Sequence, residues 1–200
     1  MADRIYLSFW LRGFTEHNML ASLETVLEKF PFSRLLRHVT LRVYALEMVE
    51  PPALERTFAD VGEPRELIEA AREFENPDCA YQVSSYWDLW QSAPDWALRP
   101  SPVAISCFAP LFPSDNGEQI LIECGTDHLF LPATPAKENL LPVRSNVRSL
   151  LHLAADLEKT LRVEKRLLWA ESGENFAERL SAALAGDADL RTGRGESRLG

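Results

Sequence analysis

From Ala80 to Gln91 the chain reads AYQVSSYWDLWQ, and its residues change character at every step. Tyr81, Val83, Ser85, Trp87 and Leu89 take the odd positions, and Gln82, Ser84, Tyr86, Asp88 and Trp90 the even ones. Neighbouring side chains of a strand point to opposite sides, so alternation over this length predicts one long strand with one buried side. A helix, with roughly 3.6 residues per turn, would mix the two sets on every face. The even set is polar yet holds two large aromatics. What that second side contacts is the question the rest of the chain has to answer.

The same alternation occurs twice nearer the N-terminus. In RIYLSFWLR, Ile5, Leu7, Phe9 and Leu11 oppose Tyr6, Ser8, Trp10 and Arg12. After His38, Val39, Leu41, Val43 and Ala45 oppose Thr40, Arg42, Tyr44 and Leu46, and Pro51-Pro52 closes the run. Between these two segments Met19, Leu20, Leu23, Val26, Leu27 and Phe30 recur at helical spacing, with Thr15 as the expected cap and Pro31 as the stop. A short helix is expected after Pro64, and Asn76-Pro77-Asp78 turns the chain into the long strand.

Beyond it, QSAPDWALRPSP reads as a proline-rich loop containing Trp96. VAISCFA and Gln119 to Cys124 read as a strand pair joined through Ser114-Asp115-Asn116-Gly117. LPATPAKENLLP, with three prolines, is expected to be loop. A helix capped by Ser145 or Asn146 follows, with Val147, Leu150, Leu151, Ala154, Leu157 and Leu161 as its apolar stripe. RLLWA, 166–170, reads as a short strand. Ser172 opens a last helix with Phe176, Leu180, Ala183 and Leu184 inward, ending at Gly186.

The expected fold is therefore α+β: a mostly antiparallel sheet with helices packed on one face, ferredoxin-like, with two strand–helix–strand halves. Residues 1–185 form one domain, with pseudo-halves 1–78 and 79–185, and the nearly apolar-free 186–200 is expected to be a disordered tail. With 46% hydrophobic and 26% charged residues, the chain can bury an ordinary globular core. The absence of a long apolar run excludes a membrane helix, and the acidic N-terminal Asp3 does not suit a secretory signal, so a cytoplasmic setting is expected.

Helices with single apolar stripes cover one side of such a sheet, which leaves Tyr6, Trp10, Arg12, Arg42, Tyr44, Tyr86, Asp88 and Trp90 on the other, with Glu123 as a further candidate. Trp, Tyr and Arg combine large contact area with a polar handle and are enriched where interfaces concentrate their energy. Three occupants suit that face. One is the chain's own loops, such as the one holding Trp96. The second is a homodimer partner or another protein, with Arg12 or Arg42 pairing Asp88. The third is a planar or sugar-like small molecule stacked on the aromatics.

Nucleic acid is excluded as a first choice. The net charge is −9, and Glu47–Asp78 alone holds ten acids against three arginines, a field that repels phosphate. Cys79, Cys107 and Cys124 have neither disulfide nor zinc spacing, and the four histidines are far apart, so no metal and no cofactor is expected. Cys124, Asp127 and His128 fall close together in ECGTDHLF but read as a buried small residue and a loop histidine rather than a thiolate–imidazole pair. No nucleophile elbow, phosphate loop or dinucleotide fingerprint occurs. The expectation is a non-catalytic interaction protein, with a small-molecule enzyme or sensor using the same face as the alternative.

Overall fold

The computed structural model describes residues 2–48, 51–59, 64–131, 140–173 and 175–181. The elements in chain order are β1 (Arg4–Leu11), α1 (Met19–Lys29), β2 (Val39–Ala45), β3 (Leu54–Phe58), α2 (Pro64–Arg72), β4 (Cys79–Ser92), β5 (Trp96–Phe108), β6 (Ile120–Thr126), a 3-10 turn (Asp127–Leu129), α3 (Leu140–Thr160) and β7 (Val163–Ala170). A helical turn over 176–181 follows. The expected tail 186–200 and the loop over 132–139 lie outside the described residues.

The seven strands form one sheet in the order β3-β2-β4-β5-β6-β1-β7, and every neighbouring pair is antiparallel. Strand directions therefore alternate across the whole sheet. The fold is α+β, with a sheet larger than a ferredoxin-like one. Its helices connect strands that run the same way: α2 joins β3 to β4 across β2, α3 joins β6 to β7 across β1, and α1 joins β1 to β2 across three strands. All three crossovers have the same sense once strand direction is counted. The strong preference for right-handed crossovers then places all three helices on one side. They are found there, where Leu23 and Val26 of α1, Leu67 and Ile68 of α2, and Leu150 and Leu157 of α3 share one core with Phe9, Leu41, Val83 and Ile105 of the sheet.

That core obeys the alternation. Tyr81, Val83, Trp87 and Leu89 are buried while Gln82, Ser84, Tyr86, Asp88 and Trp90 are half-buried. At roughly 25 cal/mol per Å² of apolar surface removed from water, this one-sided packing is the main force holding sheet to helices. The buried Tyr81 keeps its hydroxyl satisfied, donating to the Phe74 carbonyl and accepting from the Asn76 N–H.

Several elements differ from expectation, each for a physical reason. Residues 96–102 are strand rather than loop, and β5 pairs with β4 down to Ser92 opposite Trp96. Backbone bonds of Tyr86 and Trp90 point toward the β2 side, so their partners Pro102 and Leu98 point the other way. There β6 pairs with β5 only from Ala104 onward, so proline's missing N–H breaks no ladder.

Strand β3, LERTF, escaped notice because an edge strand tolerates charge and needs little apolar pattern. Helix α1 begins at Met19 rather than near Thr15. Asn18 turns its side chain backward, accepting from the Thr15 N–H and donating to the Gly13 carbonyl. Helix α3 begins at Leu140, with Pro142 tolerated in its first turn. Asn146 is thus not a cap but a buried interior residue, 2% exposed. Among the described residues, no helix is long and apolar enough to cross a membrane.

Candidate functional site: the helix-free face of the sheet

Directly opposed residues of antiparallel strands share a side, so the register assembles the second face row by row. One row reads Thr57, Thr40, Ser84, Ala104, Glu123, Tyr6, Trp169 from edge to edge. The next reads Glu55, Arg42, Gln82, Ser106, Leu121, Ser8, Leu167. Tyr44, Ala80 and Phe108 lie beyond the second row, and Tyr86 and Pro102 beyond the first, with Trp90 and Leu98 further along the β4–β5 hairpin. Seven of the eight residues singled out from sequence thus share this face. Arg12 follows the end of β1 and lines a separate cleft with Gly13, Asn18 and Arg162.

The aromatics frame the face instead of forming one platform. At the β1–β7 side, Trp169 stacks on Tyr6 with ring centroids 4.5 Å apart, and its indole N–H donates to Ser8 Oγ at 2.9 Å. Lys165 lies 4.2 Å from the centre of the Trp10 ring, and the Trp10 indole N–H donates to the Asn116 carbonyl. Arg4 and Glu123 approach to 3.5 Å. Burial, and then the charge of Glu123, push the Tyr6 phenol above its ordinary range. Trp169 was missed because RLLWA alone gave no side. The alternation of Lys165, Leu167 and Trp169 through the full strand Val163–Ala170 carries the signal.

At the β2–β4 side, Arg42 Nε donates to Glu55 at 2.6 Å and its Nη1 to Ser84 Oγ at 3.2 Å. Arg42 therefore meets Glu55, not Asp88. The Asp88 carboxylate accepts from the Ser33 hydroxyl and from the Arg34 N–H at 2.8 Å, pinning the 31–38 connection along β4. Between the framing groups the floor is small: Thr40, Ser84 and Ala104. The result is a depression of about 320 Å³, rimmed by Arg42, Tyr86, Glu123 and His38. At the opposite end Phe112, from the β5–β6 connection, covers Phe108 and Ala80, with Tyr44 and Leu121 packed beside them.

Trp90 is held by its backbone. The Asn146 side chain accepts from the Trp90 N–H and donates to its carbonyl, both at 2.9 Å, and donates to the Leu129 carbonyl at 2.8 Å. An amide side chain here fills the place of a neighbouring strand, closing the edge of β4 beyond the reach of β2.

The groups of ECGTDHLF do not converge. Cys124 is fully buried, and burial pushes its thiol far up, while His128 is exposed and bonds Thr126 through Nδ1. Asp127 pairs with Arg179. Gly125 takes a φ of +96°, and a Cβ there would sit 3.0 Å from Leu129 and 3.2 Å from Ser101, so glycine is required where β6 breaks into the 3-10 turn. Cys107 is likewise buried and pushed up to about 12, so neither thiol supplies a thiolate near neutrality. The arrangement offers shape, stacking surface and charge. Comparison with family models, with curated proteins and with solved structures finds no match to this chain.

Proposed function

We propose that this chain is a non-catalytic binding protein whose helix-free sheet face receives a protein surface, either a second copy or a different chain. The supporting observation is the asymmetry of the sheet. One side is sealed by three helices, while among the described residues the other keeps Tyr86 half-buried beside a polar floor, with Tyr44 and Trp90 half-buried further along the face. Half-buried aromatics with polar handles gain from a partner that completes their burial. Tyr6, Trp10, Arg42 and Asp88 frame the same surface. The two units in which a helix crosses one strand favour a ferredoxin-like description of each end of the sheet. Three cysteines without disulfides suit a reducing, cytoplasmic setting.

A photo-crosslinking residue placed at Ala104, on the face, is expected to give adducts in cells, and one at Leu151, on the exposed side of α3, is not. Equal yields from both positions would sink the proposal. Sedimentation over a range of concentrations separates the two partners: a dimer lost in a Tyr86→Ala, Trp90→Ala variant identifies a second copy, and a monomer throughout identifies a different chain. The depression of about 320 Å³ favours a second reading, a small ligand orienting on Arg42 and stacking on Tyr86. Under that reading Ser84→Trp, which fills the space, abolishes ligand-induced shifts in an NMR screen.

A further inference from the structure

Alternation alone assigns Arg12 to the helix-free face, yet the fold takes it elsewhere. The register of β1 on β7 shifts between Trp10 and Leu11, where β7 carries one extra residue, Glu164, and such a bulge re-aims the side chains around it. Gly13 follows with a φ of +69°, and the chain turns toward α1. The Arg12 N–H donates to the Arg162 carbonyl at 2.7 Å, so two arginines stand side by side where β1 ends and α3 runs into β7.

Together with the first two turns of α1 they line a cleft of about 340 Å³, within the roughly 300–1,000 Å³ usual for small-molecule sites. Among the described residues its lining holds both arginines and no carboxylate, in a chain whose net charge is −9. Among the same residues neither guanidinium has an ion pair or a side-chain hydrogen bond. Arg42 in the sheet-face depression differs, being already held by Glu55 and Ser84.

The other polar groups of the cleft are hydroxyls. Those of Ser22, Thr25 and Thr160 donate to the carbonyls of Asn18, Ala21 and Asp156, each at 2.9 Å, and so offer the cleft their lone pairs. Two cations thus supply donors, and three oxygens accept. Phe14, half-buried, adds an aromatic ring to the lining.

We infer that this cleft binds a small phosphorylated polyol, its phosphate on Arg12 and Arg162 and its hydroxyls donating to Ser22, Thr25 and Thr160. Adjacent guanidinium groups match the charge and oxygen geometry of a phosphate dianion. A phosphate without a polyol would leave the three acceptors without donors. The cleft shares no lining residue with the sheet-face depression. A chain of −9 is repelled by an anionic bilayer, so the phosphate belongs to a free molecule and not to a lipid headgroup.

The probes are inositol monophosphate, glycerol phosphate, inorganic phosphate and inositol, titrated into the labelled full chain and followed by amide shifts in NMR. Phosphatidylcholine vesicles carrying phosphatidylinositol phosphate run in parallel, and thermal unfolding checks each variant. The two esters are expected to move the amides of Gly13, Ser22 and Arg162 at millimolar concentration. Inorganic phosphate should bind about tenfold more weakly, and inositol should move none. Arg12→Gln with Arg162→Gln should weaken ester binding about tenfold or more. Ala21→Glu, at an exposed position in the first turn of α1, sets a negative charge in the cleft at no cost to the helix and should abolish binding. Ser84→Trp should change nothing. Binding that survives both cleft variants, no binding of either ester, inorganic phosphate equal to the esters, or vesicle binding without ester binding would each overturn the inference. Loss in Ser84→Trp alone would overturn it too, and would leave the sheet-face proposal standing.

Discussion

The two ends of the sheet are built alike and finished differently. In the unit β3-β2-β4 and in the unit β6-β1-β7, a central strand lies between two parallel ones joined by a helix. Both present aromatics on the helix-free side. In the β6-β1-β7 unit these meet partners within the unit: Trp169 covers Tyr6 and Ser8, and Lys165 caps Trp10. In the other, Arg42 and Glu55 satisfy each other, while Tyr86 and Trp90 stand beyond the end of β2, Tyr86 at the rim of an open depression and Trp90 further along β4. The same residue types thus mean two things. An aromatic opposite a long neighbour on the next strand is structural, and one that outruns its neighbouring strand is available.

Alkali should act hardest, because it attacks the core that both units share. In the folded chain the buried Cys107 holds its proton up to about 12, whereas in the unfolded chain it loses it near 9.0, and Cys124 is displaced in the same direction. The stability that depends on these neutral thiols is therefore complete below about pH 9 and falls as pH rises toward the folded values. Urea midpoints between pH 7 and 10.5 should be flat and then drop. A drop equally steep in a Cys107→Ala, Cys124→Ala variant would assign it elsewhere.

Next in size is Asn146→Ala, which orphans the Trp90 N–H, the Trp90 carbonyl and the Leu129 carbonyl together. At about 1 kcal/mol or more for each buried group left unpaired, a loss of about 3 kcal/mol is expected in denaturant titration. Because α3 belongs to the β6-β1-β7 unit and Trp90 to β4, faster amide exchange should spread into the other unit. Exchange confined to α3 would show that the two units are not coupled through this residue.

The comparison itself is tested by paired truncations. Trp169→Ala removes a stack and a hydrogen bond and should cost about 2 kcal/mol, whereas Tyr86→Ala should cost less than about 1 kcal/mol. Equal losses would erase the distinction between covered and available aromatics. Smallest of all, Lys165→Ala should cost about 0.5 kcal/mol and shift the fluorescence of Trp10.

What could be read in advance was what depends on a single chain segment. Alternation in β1, β2 and β4 placed Tyr6, Trp10, Arg42, Tyr44, Tyr86, Asp88 and Trp90 on one side, and the apolar stripes of α1 and α3 placed helices on the other. What could not be read depends on which strands meet. Asp88 turns to Ser33 and Arg42 to Glu55 because β3 and the 31–38 connection flank β2 and β4, and no local pattern encodes that adjacency. Trp169 was overlooked for the same reason: its role appears only when β7 is laid against β1. Asn146 looked like a cap because asparagine favours helix starts. Its burial against β4 follows from where α3 crosses the sheet.

The position of β1 has a consequence in time. During synthesis it is made before β6 and β7, yet among the described residues it hydrogen-bonds to both and to no other strand. A nascent chain can assemble β3, β2 and β4 early, while Ile5, Leu7 and Phe9 wait unpaired until Ile120–Thr126 has left the ribosome, and keep one edge open until Val163–Ala170 follows. Pairings so distant along the chain are slow to form and leave apolar strands open to capture by chaperones or by other chains.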